Sequence, residues 1–268
     1  MRFLRLLVRN YFPRKLFQKM KDKHTEMKGR KNEQYYRGNA VFCPCCGKRF
    51  SGFMDCLETL NNNNNTERYI DTYKNTVCPY CFSMPRHRVV CHYLDNNKQT
   101  VPTKNIVMFG AEFSIKKWFD RNGCHYQTAD LFDRYSDIKI DILNIPFPDE
   151  SWELIICNHV LEHVSDYKVA LKELKRVLTK TGFLEISVPT DRNYETVYEN
   201  SNICTEEERE KHFGQCDHLR LFGNDFEEIL KECGFSVEIV DGNTFPAEIG
   251  GVIGPANFDD NRVYICKK

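Results

Sequence analysis

From about residue 104 onward, short apolar runs alternate with amphipathic stretches. Ile106-Val107-Met108-Phe109 is one such run, ending at Gly110. Leu154-Ile155-Ile156-Cys157 is another, opening onto the polar group Asn158-His159 and then Glu162-His163. Apolar runs of this length between turn signals read as strands buried on both faces, the pattern of a parallel sheet. Residues 126–129, 138–140, 183–188, 237–240 and 263–266 read as further strands. The second and third of the series are capped by Asp130 and Asp141. Helical periodicity lies between them. Residues 113–119 form one helix, and residues 166–179 form another with Ala170, Leu171, Leu174, Val177 and Leu178 on one side and Gly182 beyond its end. Residues 224–233 form the last, before Gly234. This alternation predicts an α/β fold over residues 92–268, with the charge- and histidine-rich residues 190–222 as an insertion.

The N-terminal third is patterned differently. Residues 1–12 place Phe3, Leu4, Leu7, Val8 and Tyr11 on one helical face, with Arg2, Arg5 and Arg9 elsewhere, until Pro13 breaks the pattern. Residues 14–38 are polar and offer little to bury. The formal net charge of the chain is zero, yet residues 1–38 hold twelve Lys/Arg against three Asp/Glu, so a basic arm precedes an acidic body. Such an arm reads as solvated, as a surface for anionic membrane, or as a nucleic-acid contact. The polar run 61–65 reads as a loop tip.

Thirteen cysteines are many for one chain. Arg5 and Arg9 interrupt the early apolar run, so no secretory signal is read, and no segment approaches the ~18 apolar residues of a membrane span. The expected location is cytoplasmic, with peripheral membrane contact through residues 1–12 as the variant. An odd cysteine count in a reducing compartment favours metal ligands and buried thiols over disulfides. Cys43-Pro44-Cys45-Cys46 and Cys78-Pro79-Tyr80-Cys81 contain two C-x-x-C knuckles. Two-residue spacing lets both thiolates of a knuckle reach one tetrahedral ion, so Cys43, Cys46, Cys78 and Cys81 are the expected ligands of structural Zn²⁺ in a ribbon over residues 39–91. Cys45 is a poorer substitute for Cys46, and Cys56 an outside candidate.

The stretch 141–163, DILNIPFPDESWELIICNHVLEH, resembles the class I S-adenosylmethionine-dependent methyltransferases of the type 11-like group, which includes quinone and small-molecule methyltransferases. With the two knuckles, Arg86-His87-Arg88 and the run HFGQCDHLR at 212–220, the chain resembles a bacterial group that carries an N-terminal zinc ribbon. That group is often associated with saccharide or cell-surface assembly. The resemblance implies a Rossmann-like seven-stranded sheet with one antiparallel strand near its edge, and S-adenosylmethionine as cofactor. Asp130 then takes the ribose diol, both of whose hydroxyls can donate to one carboxylate. Asp141 and Ile142 meet the adenine, and Asn158 follows the fourth strand beside the cofactor. Gly110-Ala111-Glu112 replaces the usual glycine-rich turn with a single glycine, and Glu112 is placed to receive the ammonium group.

A hydroxyl acceptor also needs a proton acceptor, for which histidine is suited near neutral pH. Glu162 and His163, read as the start of a helix, and His218 with Asp217 as its orienting partner, are the catalytic candidates. The expected acceptor is a small molecule or glycan, methylated on oxygen. The acidic body, and Asn158-His159-Val160-Leu161 where base-amine methyltransferases carry an Asn/Asp-Pro-Pro-aromatic run, argue against an RNA or DNA methyltransferase. A third reading is a methyltransferase-like binding module without turnover.

Overall fold

The computed structural model describes residues 14–60, 69–249 and 261–268. The readings for residues 1–12 and 61–65 fall outside them.

Helix α1 (Arg14–Glu33) occupies the segment whose composition suggested a solvated arm. It is instead tied to the body by its few acids. Asp22 accepts from Lys116 Nζ at 2.8 Å, Glu26 from the Tyr80 hydroxyl at 2.9 Å, and Glu33 from Lys48 Nζ at 2.7 Å. Gly29 is buried where the helix crosses the second knuckle, and a Cβ there would overlap the Tyr80 carbonyl oxygen. Contact through glycine and ion pairs leaves no apolar stripe, which is why hydrophobic periodicity missed the docking.

Two antiparallel hairpins follow, β1 (Val41–Cys43) with β2 (Lys48–Phe50) and β3 (Met54–Leu60) with β4 (Tyr69–Val77). Helix α2 (Pro85–Asn96) starts with proline at its first position, where no backbone donor is needed. The large sheet is built from β5 (Ile106–Phe109), β6 (Tyr126–Asp130), β7 (Ile138–Lys139), β8 (Trp152–Asn158), β9 (Leu178–Ser187), β12 (Ser236–Asp241) and β13 (Arg262–Lys267). Its order is β12-β13-β9-β8-β5-β6-β7, with β13 antiparallel to both of its neighbours and the pairings from β9 to β7 parallel. The seven-stranded sheet with one antiparallel strand beside the edge is the architecture that the resemblance implied.

Alternation along each strand sorts side chains between two faces. Val107, Phe109, Ile155, Cys157, Leu184 and Ile186 pack with Ala170, Leu171 and Leu174 of α4 (Tyr167–Val177). Ile106, Met108, Leu154, Ile156 and Ile265 pack with Val90 and Leu94 of α2 and with Ile115 and Trp118 of α3 (Phe113–Arg121). Cys43, Cys78 and Cys81 belong to that second cluster, so the cysteine module shares a core with the sheet. Asp166 caps α4 by accepting from the Lys168 and Val169 amides, each at 3.0 Å. Glu162 and His163 therefore do not begin that helix. They lie in a separate 3-10 turn, Leu161–His163.

The insertion is ordered around β10 (Tyr198–Glu199), α5 (Glu206–Phe213) and β11 (Arg220–Leu221), followed by α6 (Phe226–Glu232). Buried Arg220 holds it against the 3-10 turn, donating to the carbonyls of Leu161 at 2.9 Å and Val164 at 2.5 Å and pairing with Glu199 at 3.0 Å.

Candidate active site and the four-cysteine cluster

The order in which strands are added reverses between β5 and β8, and these parallel strands leave their carboxyl ends on one side of the sheet. Such a crevice is where open α/β sheets bind ligands. A cavity of about 720 Å³ lies there. One wall is Gly110, Asp130, Asp141 and Ile142, and the other is His159, His163 and Asp217.

The first wall is shaped by backbone. Gly110 has φ +59°, and a Cβ on it would stand 3.2 Å from Val160 Cγ2. The single glycine thus lets the turn after β5 pass under residue 160. Asp130 Oδ1 accepts from the amides of Phe132 at 2.7 Å and Asp133 at 2.8 Å, and Asp141 Oδ1 accepts from Leu143 N at 2.9 Å. These Asx turns fix both carboxylates through Oδ1 alone. Both lie on the wall of the same cavity.

Asn158 is placed elsewhere. Its amide donates to Glu185 Oε2 at 2.8 Å and accepts from Ser187 Oγ at 2.6 Å, so the side chain is turned inward. Burial pushes the Glu185 carboxyl up to about 8, the Asn158 bond only partly opposing it. Glu112 also faces inward, toward residues the sequence reading had not joined to it. His87 Nδ1 accepts from Met84 N at 3.0 Å and Ser114 Oγ at 2.8 Å, so its proton sits on Nε2, 2.5 Å from Glu112 Oε1. Arg86 stands 3.4 Å from the same oxygen. Burial would raise the Glu112 carboxyl, but His87, Arg86 and His159 outweigh it and hold it at about 2. Glu112 Oε2 and Arg86 Nε remain buried without hydrogen-bond partners. These are one unmet acceptor and one unmet donor of opposite charge, the chemistry that pairs with an amino-acid head. The two strand-end carboxylates on the cavity wall fit the nucleoside of S-adenosylmethionine, whereas Glu112 and Arg86 do not line that cavity. Ala111 is half-buried beside them.

Across the cavity, the insertion meets the 3-10 turn through Leu219 N, which donates to the Glu162 carbonyl at 2.8 Å. His163 and His218 rings meet edge to face, 4.8 Å between centroids. Asp217 does not orient His218. Its carboxylate stands 3.4 Å from His163 Nδ1, whereas His218 Nδ1 faces the Phe213 carbonyl at 3.1 Å. Arg209 of α5 and exposed Phe132 also line the cavity, and neither was singled out in the sequence. Arg209 sits in a charged run with no marker of its role, and Phe132 follows a turn residue.

In the cysteine module, the sulfurs of Cys43, Cys46, Cys78 and Cys81 all lie within 4.8 Å of one another, with Cys43–Cys81 at 3.5 Å and Cys46–Cys78 at 3.8 Å. Four thiolates at Zn–S of ~2.3 Å in a tetrahedron are separated by roughly 3.8 Å, so the set fits Zn²⁺. Cys45 stays out, its thiol donating to the His87 carbonyl at 3.4 Å. Arg88 lies beneath the second knuckle, fully engaged with the carbonyls of Thr76, Ser83 and Ile249.

Residues 119–186 match the family described as Methyltransferase domain. That match starts after the turn at Gly110, where this chain departs from the glycine-rich pattern. A demethylmenaquinone methyltransferase of Staphylococcus haemolyticus is 43% identical over 61 residues, 22% of this chain and 26% of that protein. An uncharacterized protein of Methanocaldococcus jannaschii is 35% identical over 85 residues, 30% of this chain and 36% of its own length. The chain thus spans about a quarter of the first of these relatives and just over a third of the second. A solved SAM-dependent methyltransferase of Archaeoglobus fulgidus is 15% identical, covering 68% of this chain and 94% of that one at a TM-score of 0.45. No helix among the described residues is long and apolar enough to cross a membrane. The strand order gives this chain an α/β Rossmann-like fold with the seven-stranded mixed sheet of methyltransferases, residues 119–186 match the methyltransferase-domain family, and a four-cysteine cluster lies on the N-terminal side.

Proposed function

We propose that the protein is an S-adenosylmethionine-dependent methyltransferase acting on a hydroxyl of a small-molecule or saccharide acceptor. The observation that carries this reading is the convergence of Asp130 and Asp141 on one cavity whose far wall bears His163 and Asp217. Asp130 would hold the ribose diol, Asp141 and Ile142 the adenine, Gly110 the close backbone approach, and Glu112 with Arg86 the amino-acid head. When bound, the cofactor supplies an electrophilic methyl on a sulfonium whose departure leaves a neutral thioether.

The chain's own contribution is alignment and proton removal. Holding a nucleophile in line at near-contact distance is worth several kcal/mol, on the order of 7–11 in favourable cases. The turn Leu161–His163 and the insertion face the place where an acceptor enters. His163, His218, Asp217 and Glu162 are the groups that receive its hydroxyl proton or orient what does. Arg209, on the same wall, suits an acceptor carrying an anionic group. The four-cysteine cluster is proposed to hold Zn²⁺ structurally, since a closed Cys₄ set leaves no position for substrate.

Calorimetric titration with S-adenosylmethionine tests the first half of this proposal, and saturation is expected in the micromolar range typical of about −8 kcal/mol. No saturation at millimolar ligand would reduce the domain to a non-catalytic module. His218→Ala is expected to abolish methyl transfer while leaving cofactor affinity unchanged. Retained turnover would remove His218 from the reaction.

A further inference from the structure

Glu162 is completely buried, and neither of its carboxylate oxygens has a hydrogen-bond partner. A buried carboxylate left in that condition is strongly destabilising unless another charge compensates it. His159 Nδ1 stands 3.5 Å from Oε1 without forming a hydrogen bond, and its own Nε2 is buried and unpartnered. The groups that come closest are histidines. One ligand atom each from Glu162, His163 and His218 lies within 4.8 Å of the other two.

Each ring is committed through Nδ1. His218 Nδ1 faces the Phe213 carbonyl at 3.1 Å, and His163 Nδ1 faces the Asp217 carbonyl at 3.3 Å. A carbonyl only accepts, so each Nδ1 carries the proton and each Nε2 presents a lone pair. With that tautomer Nε2 is the nitrogen each ring has free to ligate beside the Glu162 carboxylate. Histidines whose Nδ1–H is fixed by a backbone carbonyl or a carboxylate are the histidines that ligate metals.

We propose that Glu162, His163 and His218 form a binding site for a divalent first-row transition metal ion, separate from the four-cysteine cluster. Two imidazoles and one carboxylate suit Zn²⁺, Fe²⁺, Mn²⁺ or Co²⁺. Three protein ligands leave coordination positions for a further ligand, and His163 brings the site to the cavity wall. The site stands on these residues alone, whereas its role rests on the methyl-transfer reading. There the ion takes the acceptor oxygen and acidifies its hydroxyl. The O–H bond breaks with its proton passing to Asp217 and on to solvent. The oxygen then forms the new C–O bond as the C–S bond breaks, its electron pair staying on sulfur.

The test uses full-length protein with its cysteine cluster loaded with zinc, titrated with Co²⁺ alone. Expected are one further equivalent bound and weak visible bands without thiolate charge transfer. Glu162→Gln and His218→Ala should each lose that equivalent or weaken it at least tenfold while zinc in the cysteine cluster is retained. Half-buried His163→Ala serves as the third variant should either of the others fail to fold. A single equivalent of metal in the wild type overturns the site, as does a second equivalent undisturbed in all three variants. Methyl transfer that is unchanged when this second metal is removed overturns its role. Absence of S-adenosylmethionine binding in a protein that still takes Co²⁺ would refute the methyl-transfer reading and leave the site standing.

Discussion

Glu185 shows how one residue couples the core to pH. Its folded-state pKa of about 8 lies above the ordinary 4.5, so the folded protein binds the proton more tightly than the unfolded chain. Folding is then fully undisturbed by this group below about pH 4.5, and its stability declines as pH rises toward 8. The decline approaches about 1.4 kcal/mol per pH unit within that window. Glu185→Gln, which can still accept from Asn158, should flatten the profile and raise the melting temperature at pH 8. Identical profiles for the two proteins would show that the carboxyl is not protonated in the folded state. Gly110→Ala should cost about 1–3 kcal/mol, because φ +59° is strained for alanine and the added Cβ meets Val160. Calorimetric affinity for S-adenosylmethionine should fall with it, and unchanged affinity would show that the turn does not touch the ligand. Asp130, Asp141 and Gly110 were readable in the chain because strand ends mark the crevice in order. Arg86 and His87 were seen only as a motif, since their meeting with Glu112 spans some 25 residues and depends on how α2 packs.

At the scale of elements, periodicity located what is held by apolar faces. Helix α4 and strands β5 and β8 lie within one or two residues of their expected bounds, because each buries a regular pattern. Strand β9 starts earlier than expected, at Leu178, which pairs with Trp152 before a register shift. Residues 178–182 carry Thr, Lys and Gly rather than an apolar run, so their pairing was invisible in composition. Helix α1 is the opposite case to α4, held by ion pairs and by one glycine at its crossing. Gly29→Ala should lift it from Tyr80 and leave the sheet folded. Hydrogen exchange is the measurement: protection should fall in residues 18–33 and persist in β5 and β8. Uniform loss would mean that α1 is part of the cooperative core. Asp166→Ala removes the cap of α4 and should cost about 1 kcal/mol in denaturant unfolding, without moving any cavity residue.

Across the whole molecule, α2 joins the cysteine module to Glu112, which the proposal assigns to the amino-acid head of the cofactor. Cys81 and Arg86 are separated by four residues, and Cys45 reaches the carbonyl of His87. Removing metal with a chelator should therefore weaken S-adenosylmethionine binding at least tenfold, although Asp130 and Asp141 are remote from the cluster. Affinity that survives complete metal removal would uncouple the two. Arg88 extends the same linkage in another direction. Two of the carbonyls it satisfies, Thr76 and Ser83, are near it in the chain, but the third belongs to Ile249, 161 residues downstream. On a ribosome, then, residues 76–88 wait for residue 249 before their buried cation has all three of these carbonyls. A nascent chain arrested before residue 249 leaves Arg88 Nε without that acceptor, so vectorial synthesis cannot complete the surroundings of Arg88 before that residue is made.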